Sequence, residues 1–178
     1  MSITIVATAG ASTANSFVTE AEQIAYMATR LNASAWTTVS GTTCTETEKA
    51  AMIEATRELS NRNWQGCRAT ETQALAWPRW DVINPDSPNT FYYQTTTVPQ
   101  RVKDATMELA FQFLNAGTTD IASLDTSIGI KRKKVDVLET EYVDPSLRAQ
   151  GLQRYPRVWA LIRPLLMGAG NTVPVMRG

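Results

Sequence analysis

Between Asn63 and Val98 the sequence sets Trp64, Trp77, Trp80, Phe91, Tyr92 and Tyr93 among Pro78, Pro85 and Pro88. Each prolyl ring removes a backbone donor and steers the residue before it away from helix. No long helix can cross this stretch, so core helices must lie on either side of it. A structureless loop of this length is unusual inside a compact domain. The aromatic residues therefore predict an ordered, extended segment anchored onto flanking helices.

Those flanks carry clear helix signals. Thr19 with Glu22, and Thr45 with Glu48, have capping-box spacing, in which each side chain satisfies a free donor at the helix start. After the first box, Ile24, Met27, Ala28 and Leu31 form one apolar stripe. After the second, Met52, Ala55, Thr56 and Leu59 mark the inner face of a helix running to about Asn61. Trp36 is expected to pin the loop between them. Pro99 suits the first turn of a third helix, striped by Val102, Thr106, Leu109, Ala110 and Phe113 and ended by Gly117.

Period-two alternation over 127–143 predicts a β-hairpin turning near Arg132–Lys134 or a little later. A last helix runs from about Pro156 to Leu166, with Pro164 ending or kinking it. The expected fold is mainly α (α+β): a small bundle of about four helices with one hairpin. Residues 1–18 read as an extended N-terminal arm, 19–166 as the helical domain and 167–178 as an extended C-terminal arm.

Composition narrows the chemistry. The chain has no histidine, which removes Ser-His-Asp and Cys-His devices and any imidazole-dependent zinc site. Cys44 and Cys67 cannot cage a metal alone and are expected to be free thiols. No catalytic, cofactor-binding or metal-binding residues are predicted. With 17 basic and 17 acidic residues there is no basic surplus of the kind duplex-binding domains carry. No apolar run approaches the roughly 18 residues of a membrane span, and no secretory signal is evident. A soluble protein, intracellular where it is made, is expected.

Four constellations remain. Asp104 and Glu108 lie one turn apart and are expected on a solvated helix face beside Arg101 and Lys103. Lys131, Arg132, Lys133 and Lys134, at the expected hairpin tip, fit a solvated turn as well as a contact to DNA or a neighbouring subunit. Gly168-Ala-Gly170 lacks the lysine and the setting of a phosphate loop. Trp77-Pro78-Arg79-Trp80 fits aromatic anchoring of the extended segment better than a platform for single-stranded bases.

The run Gln73-Ala74-Leu75-Ala76-Trp77-Pro78-Arg79 resembles the Gln-x-Leu-x-Trp-Pro-Arg signature of small phage proteins labelled DnaT-like and single-stranded-DNA-binding. Asn15-Ser16-Phe17-Val18, Ala21, Tyr26, Trp36, Ala55-Thr56-Arg57-x-Leu59, Trp64-x-Gly66-x-Arg68 and Val98-Pro99-x-Arg101-Val102-Lys103 continue the likeness in order, over about 15–165. Phe17 stands where the family has Tyr. In layout the family is similar to tailed-phage head-to-tail adaptors, also called connector or head-completion proteins.

That resemblance implies a structural virion protein of the neck, made in the host cytoplasm. It would form a homo-oligomeric, dodecameric ring beneath the portal protein. The ring would contact a tail or nozzle protein and surround packaged double-stranded DNA, with no membrane partner. Gln73, Leu75, Trp77, Pro78, Arg79 and Trp80 would be a structural lock, and Lys131 to Lys134 a DNA-channel or subunit contact. Val173, Pro174, Val175, Met176 and Arg177 would dock into the portal. The alternatives are a single-stranded-DNA-binding replication accessory protein and a tail-completion or terminator protein.

Overall fold

Both capping boxes form. In the computed structural model, which describes residues 2–87, 91–117, 130–134, 139–142 and 151–168, they open helices α1 (Glu20–Ala28) and α2 (Glu46–Ser60). Helix α3 (Gln100–Ala116) begins after Pro99 and ends at Gly117, whose left-handed φ of 66° closes it. Helix α4 (Pro156–Ile162) passes into a 3-10 turn, Arg163–Leu165, at Pro164. Strands β1 (Cys67–Arg68) and β2 (Arg79–Trp80) form a short antiparallel ribbon. Strands β3 (Ile130–Lys134) and β4 (Glu139–Tyr142) form the expected hairpin, so the fold is mainly α with a hairpin.

Helix α3 is central, packed against both α2 and α4. Val102, Thr106, Leu109, Ala110 and Phe113 are all buried along it, as their spacing predicts. Met52, Ala55, Thr56 and Leu59 of α2 face them with no exposed surface. Phe17, Val18, Met27 and Trp36 complete this side of the core. Residues 163–167 return to the start of the extended segment: Gln65 N donates to Leu165 O at 2.9 Å, and Met167 N to Asn63 O at 2.8 Å.

Several expectations are corrected. Helix α1 stops at Ala28, so Leu31 leaves the stripe and is 86% exposed, with Asn32 beyond it at positive φ. The N-terminal arm is extended but lies on its own body. Asn15 Oδ1 accepts from Val6 N at 2.8 Å, and Ala74 N donates to Ala11 O. Lys131 to Lys134 lie along strand β3 rather than at the tip, with Arg132 opposite Glu141 and Lys134 opposite Glu139 in Cα register. The turn between the strands lies outside the described residues, as do Val173, Pro174, Val175, Met176 and Arg177.

The α2 cap has a pH signature. Glu48 is buried, which by itself raises its pKa, yet it accepts from Thr37 N, Thr38 N, the Thr38 hydroxyl and Thr45 N at 2.6–2.9 Å. These donors win and hold the carboxyl at about 2, against an ordinary 4.5. A depressed folded pKa stabilises above the unfolded value and is lost as pH falls through the folded one. Urea midpoints should therefore be level above roughly pH 5 and decline toward pH 2. Glu48→Gln should flatten the part of that decline due to this cap, at the cost of a lower plateau.

Candidate functional site

The site grows from the extended segment. Trp64 and Trp77 are buried, their rings edge-to-face at 5.5 Å, and Tyr93 meets Trp77 the same way at 6.2 Å. Gln73, also buried, ties the loop between the strands. Its Nε2 donates to Leu75 O at 2.8 Å and to Pro78 O at 3.0 Å, and its Oε1 accepts from Thr70 N at 2.9 Å. The Trp77–Pro78 peptide is cis. Leu75 packs partly buried against the same core.

Arg79 is held by backbone. Its guanidinium donates to Gln65 O at 2.7 Å, Gly66 O at 2.6 Å and Ala76 O at 3.1 Å. Among the described residues no carboxylate pairs with it, nor with Arg68, its Cα partner across the ribbon. Burial pushes the Arg79 pKa down, and the nearby Arg68 charge adds to that. Like charges directly opposite each other destabilise a strand pair, so this ribbon carries positive charge at a cost.

Burial ends at Trp80. Gln73, Trp77 and Pro78 are buried and Arg79 is half-buried, but Trp80 is 51% exposed, its Nε1 donating to Ala69 O at 3.2 Å. Cys67, its partner in the ribbon, is also exposed. Following Trp80, the chain folds into a small antiparallel turn-back. Asn84 N donates to Phe91 O, Tyr93 N donates to Val82 O, and Ile83 pairs with Tyr92. Val82 and Tyr93 point into the core, while Ile83, Phe91 and Tyr92 are exposed. Half of the aromatic set expected to anchor the segment therefore faces solvent.

Gly66 makes the ribbon possible. Its φ is +65°, and an added Cβ would sit 1.8 Å from the Trp80 carbonyl oxygen. Sequence reasoning placed Gly66 in a motif but gave it no role, since only the paired strand reveals the contact. Gly66→Ala should separate β1 from β2 and release Arg79. We expect a loss of about 2–4 kcal/mol, from strain and unmade hydrogen bonds. Urea unfolding would measure it, and a wild-type midpoint would contradict the ribbon geometry.

Glu108 corrects another expectation. It is 2% exposed, not on a solvated face, and accepts from Arg30 Nε and Nη2 at 3.0 Å each and from Tyr26 Oη at 2.8 Å. Burial raises its pKa, but Arg30 and Tyr26 overcome this and hold it below the carboxylate range. Through these bonds it clips Tyr26 of α1 and Arg30 beyond it to α3. Asp104, one turn earlier, accepts from Gln100 at the surface. Cys44 is buried, its thiol pushed up to about 12. Among the described residues no group of His, Cys, Asp or Glu could hold a metal, and no helix is long and apolar enough to cross a membrane.

A family model described as "Putative DnaT-like ssDNA binding protein" matches residues 1–178, and that match over its whole length places the chain in the family. No curated protein and no solved structure matches it.

Proposed function

We propose that this chain, a member of the DnaT-like ssDNA binding family, binds single-stranded DNA on the β1–β2 ribbon and acts by binding alone. The observation that carries this reading is the half-exposed Trp80 on a ribbon whose alternate positions, Arg68 and Arg79, carry positive charge that no described carboxylate neutralises. Single-strand binders stack bases on such aromatic faces and track the backbone with cations. Arg68 is free to reach a phosphate. Arg79 holds the ribbon and adds its charge from below.

Stacking on one aromatic side chain is worth about 1–3 kcal/mol per base, so Trp80→Ala should weaken binding of a labelled oligothymidylate about 5- to 150-fold. Arg68→Ala should weaken it less and lower the salt slope by about 0.7, the value for one phosphate on a single strand. Fluorescence anisotropy across a salt series measures both. Wild-type affinity in Trp80→Ala would remove the ribbon from the interface.

A second reading is favoured by the other cations. Arg30, Lys49, Arg57, Arg62, Arg101 and Lys103 are each paired with a carboxylate, and the chain's formal charge is zero. These six cations are spent on ion pairs, whereas Ile83, Phe91 and Tyr92 offer apolar surface to a protein partner. On this reading the chain is the head-to-tail adaptor of a tailed phage, ringed beneath a portal, or a tail-completion protein of the neck. Lys131 to Lys134 would then touch DNA or a neighbouring subunit. Low-resolution images of particles decide between the readings: a layer of this chain beneath the portal supports the adaptor, and virions lacking the chain exclude it.

A further inference from the structure

Asn15, the first residue of the motif Asn15-Ser16-Phe17-Val18, closes a loop over residues 4–15. Its Oδ1 accepts from Val6 N and its Nδ2 donates to Thr4 O, each at 2.8 Å, while its own N donates to Val6 O at 2.9 Å. One carboxamide thus offers an acceptor and a donor together, as a paired strand would. The base of the loop is anchored on α2. Phe17 N donates to Thr56 Oγ1 at 3.3 Å, and Ile3 N to Glu46 Oε2 at 2.6 Å. Its far side reaches the Gln73–Pro78 loop. Ala11 O accepts from Ala74 N at 3.2 Å, and a Cβ added at Gly10 would meet the Pro78 ring at 3.9 Å. Pro78 directly precedes β2, and its carbonyl accepts at 3.1 Å from the amide of Ala69, which follows β1.

We propose that Asn15 is a positioning residue for the ribbon. By closing the 4–15 loop it braces Ala74 and Pro78, and so fixes the strand pair that presents Trp80. The ribbon needs such support, since it has only two residue pairs and short two-stranded ribbons are marginal alone. Gln73 and Arg79 hold it through their own side chains, and the 4–15 loop adds a support independent of both. An indole already held where a base will stack loses less freedom on binding, which raises affinity. Asn15 acts through the ribbon and needs no contact with DNA. The effect on binding rests on the single-strand reading, whereas the bracing itself does not.

Residue-by-residue amide hydrogen exchange and oligothymidylate anisotropy, both on the full chain, test it with Asn15→Ala. If that variant does not fold, Asn15→Asp replaces it, keeping the acceptor for Val6 N but setting an oxygen against Thr4 O. The Ala69 and Ala74 amides should exchange roughly tenfold faster than in wild type, as two lost side-chain hydrogen bonds allow, with α3 amides unchanged. Oligothymidylate affinity should fall roughly fivefold, the scale of one side chain no longer held in place. In a Trp80→Ala background the same change should cost less than about twofold, because its effect passes through the indole. Wild-type exchange at Ala69 in a folded variant overturns the brace, and so does a uniform speeding of all amides, which marks a merely structural role. Unchanged affinity, or an equal loss with and without Trp80, overturns the positioning role. Wild type that binds no oligothymidylate removes the single-strand reading and the positioning role with it, while the exchange rates still decide the brace.

Discussion

Arg30→Ala should lower the unfolding free energy by about 3–5 kcal/mol, the usual loss when one partner of a buried ion pair is removed. Arg30 bonds both carboxylate oxygens of Glu108, and its guanidinium lies 3.8 Å above the Phe111 ring. Without it the carboxylate keeps Tyr26 and a distant, mostly exposed Arg157 at 3.6 Å. Neither replaces a bidentate partner. Desolvation then dominates, so Glu108 in the variant should titrate above the ordinary carboxylate range. A raised folded pKa means that protonation stabilises, so the deficit should shrink as pH falls. In wild type, where the pKa is depressed, acid has the opposite effect. The double replacement Arg30→Met with Glu108→Leu should cost less than Arg30→Ala alone, because it leaves no buried charge behind. Urea unfolding at pH 7 and at pH 5 resolves all of these. Equal deficits at both pH values would show that Glu108 is not the group left stranded.

Trp77→Ala should cost about 3–5 kcal/mol, as aromatic truncations in a full core do. Its ring is 1% exposed, between the edges of Trp64 and Tyr93. Within the described residues its Nε1 makes no hydrogen bond. Trp77→Phe therefore gives up packing but no polar contact, and removes an unpaired donor. It should cost clearly less than Trp77→Ala, because most of the ring volume stays in place. The contrast separates packing from hydrogen bonding, and thermal or urea unfolding reads it. A Phe variant as unstable as the Ala variant would contradict the loss of packing as the cause. Trp77→Ala should also weaken oligonucleotide binding, since Trp80 is positioned by the lock that Trp77 fills.

Much of this fold is local in origin and was legible for that reason. A capping box needs only four residues, and both formed where Thr19 and Thr45 stand. The α3 stripe needs only period 3.6 and a stop, which Gly117 supplies. What the sequence concealed depends on partners far along the chain. Glu108 looks like any helix-surface acid until Arg30 is folded against it. Leu31 continues a stripe on paper, but the helix ends before reaching it. Trp80, Phe91 and Tyr92 read as anchors by composition, because hydrophobicity does not record which side of a ribbon faces water. Pairing Ile83 with Tyr92 and turning Val82 inward settles that, and only the folded register contains it. The Gln73–Arg79 motif marked the segment that forms the ribbon, while its outward face emerged only from the strand pairing.

In the proposed binding mode the ribbon offers Trp80 outward as a face for unpaired bases. Intrinsic tryptophan fluorescence of the native chain, titrated with oligothymidylate and with a duplex of equal length, tests it most directly. Trp36, Trp64 and Trp77 are buried and Trp159 is partly buried, so stacking at the ribbon should quench the Trp80 share of the signal, which the Trp80→Phe variant isolates. Quenching should be saturable with the single strand, far weaker with the duplex, and lost in Trp80→Phe. An emission spectrum unmoved by single strands at low salt would contradict it.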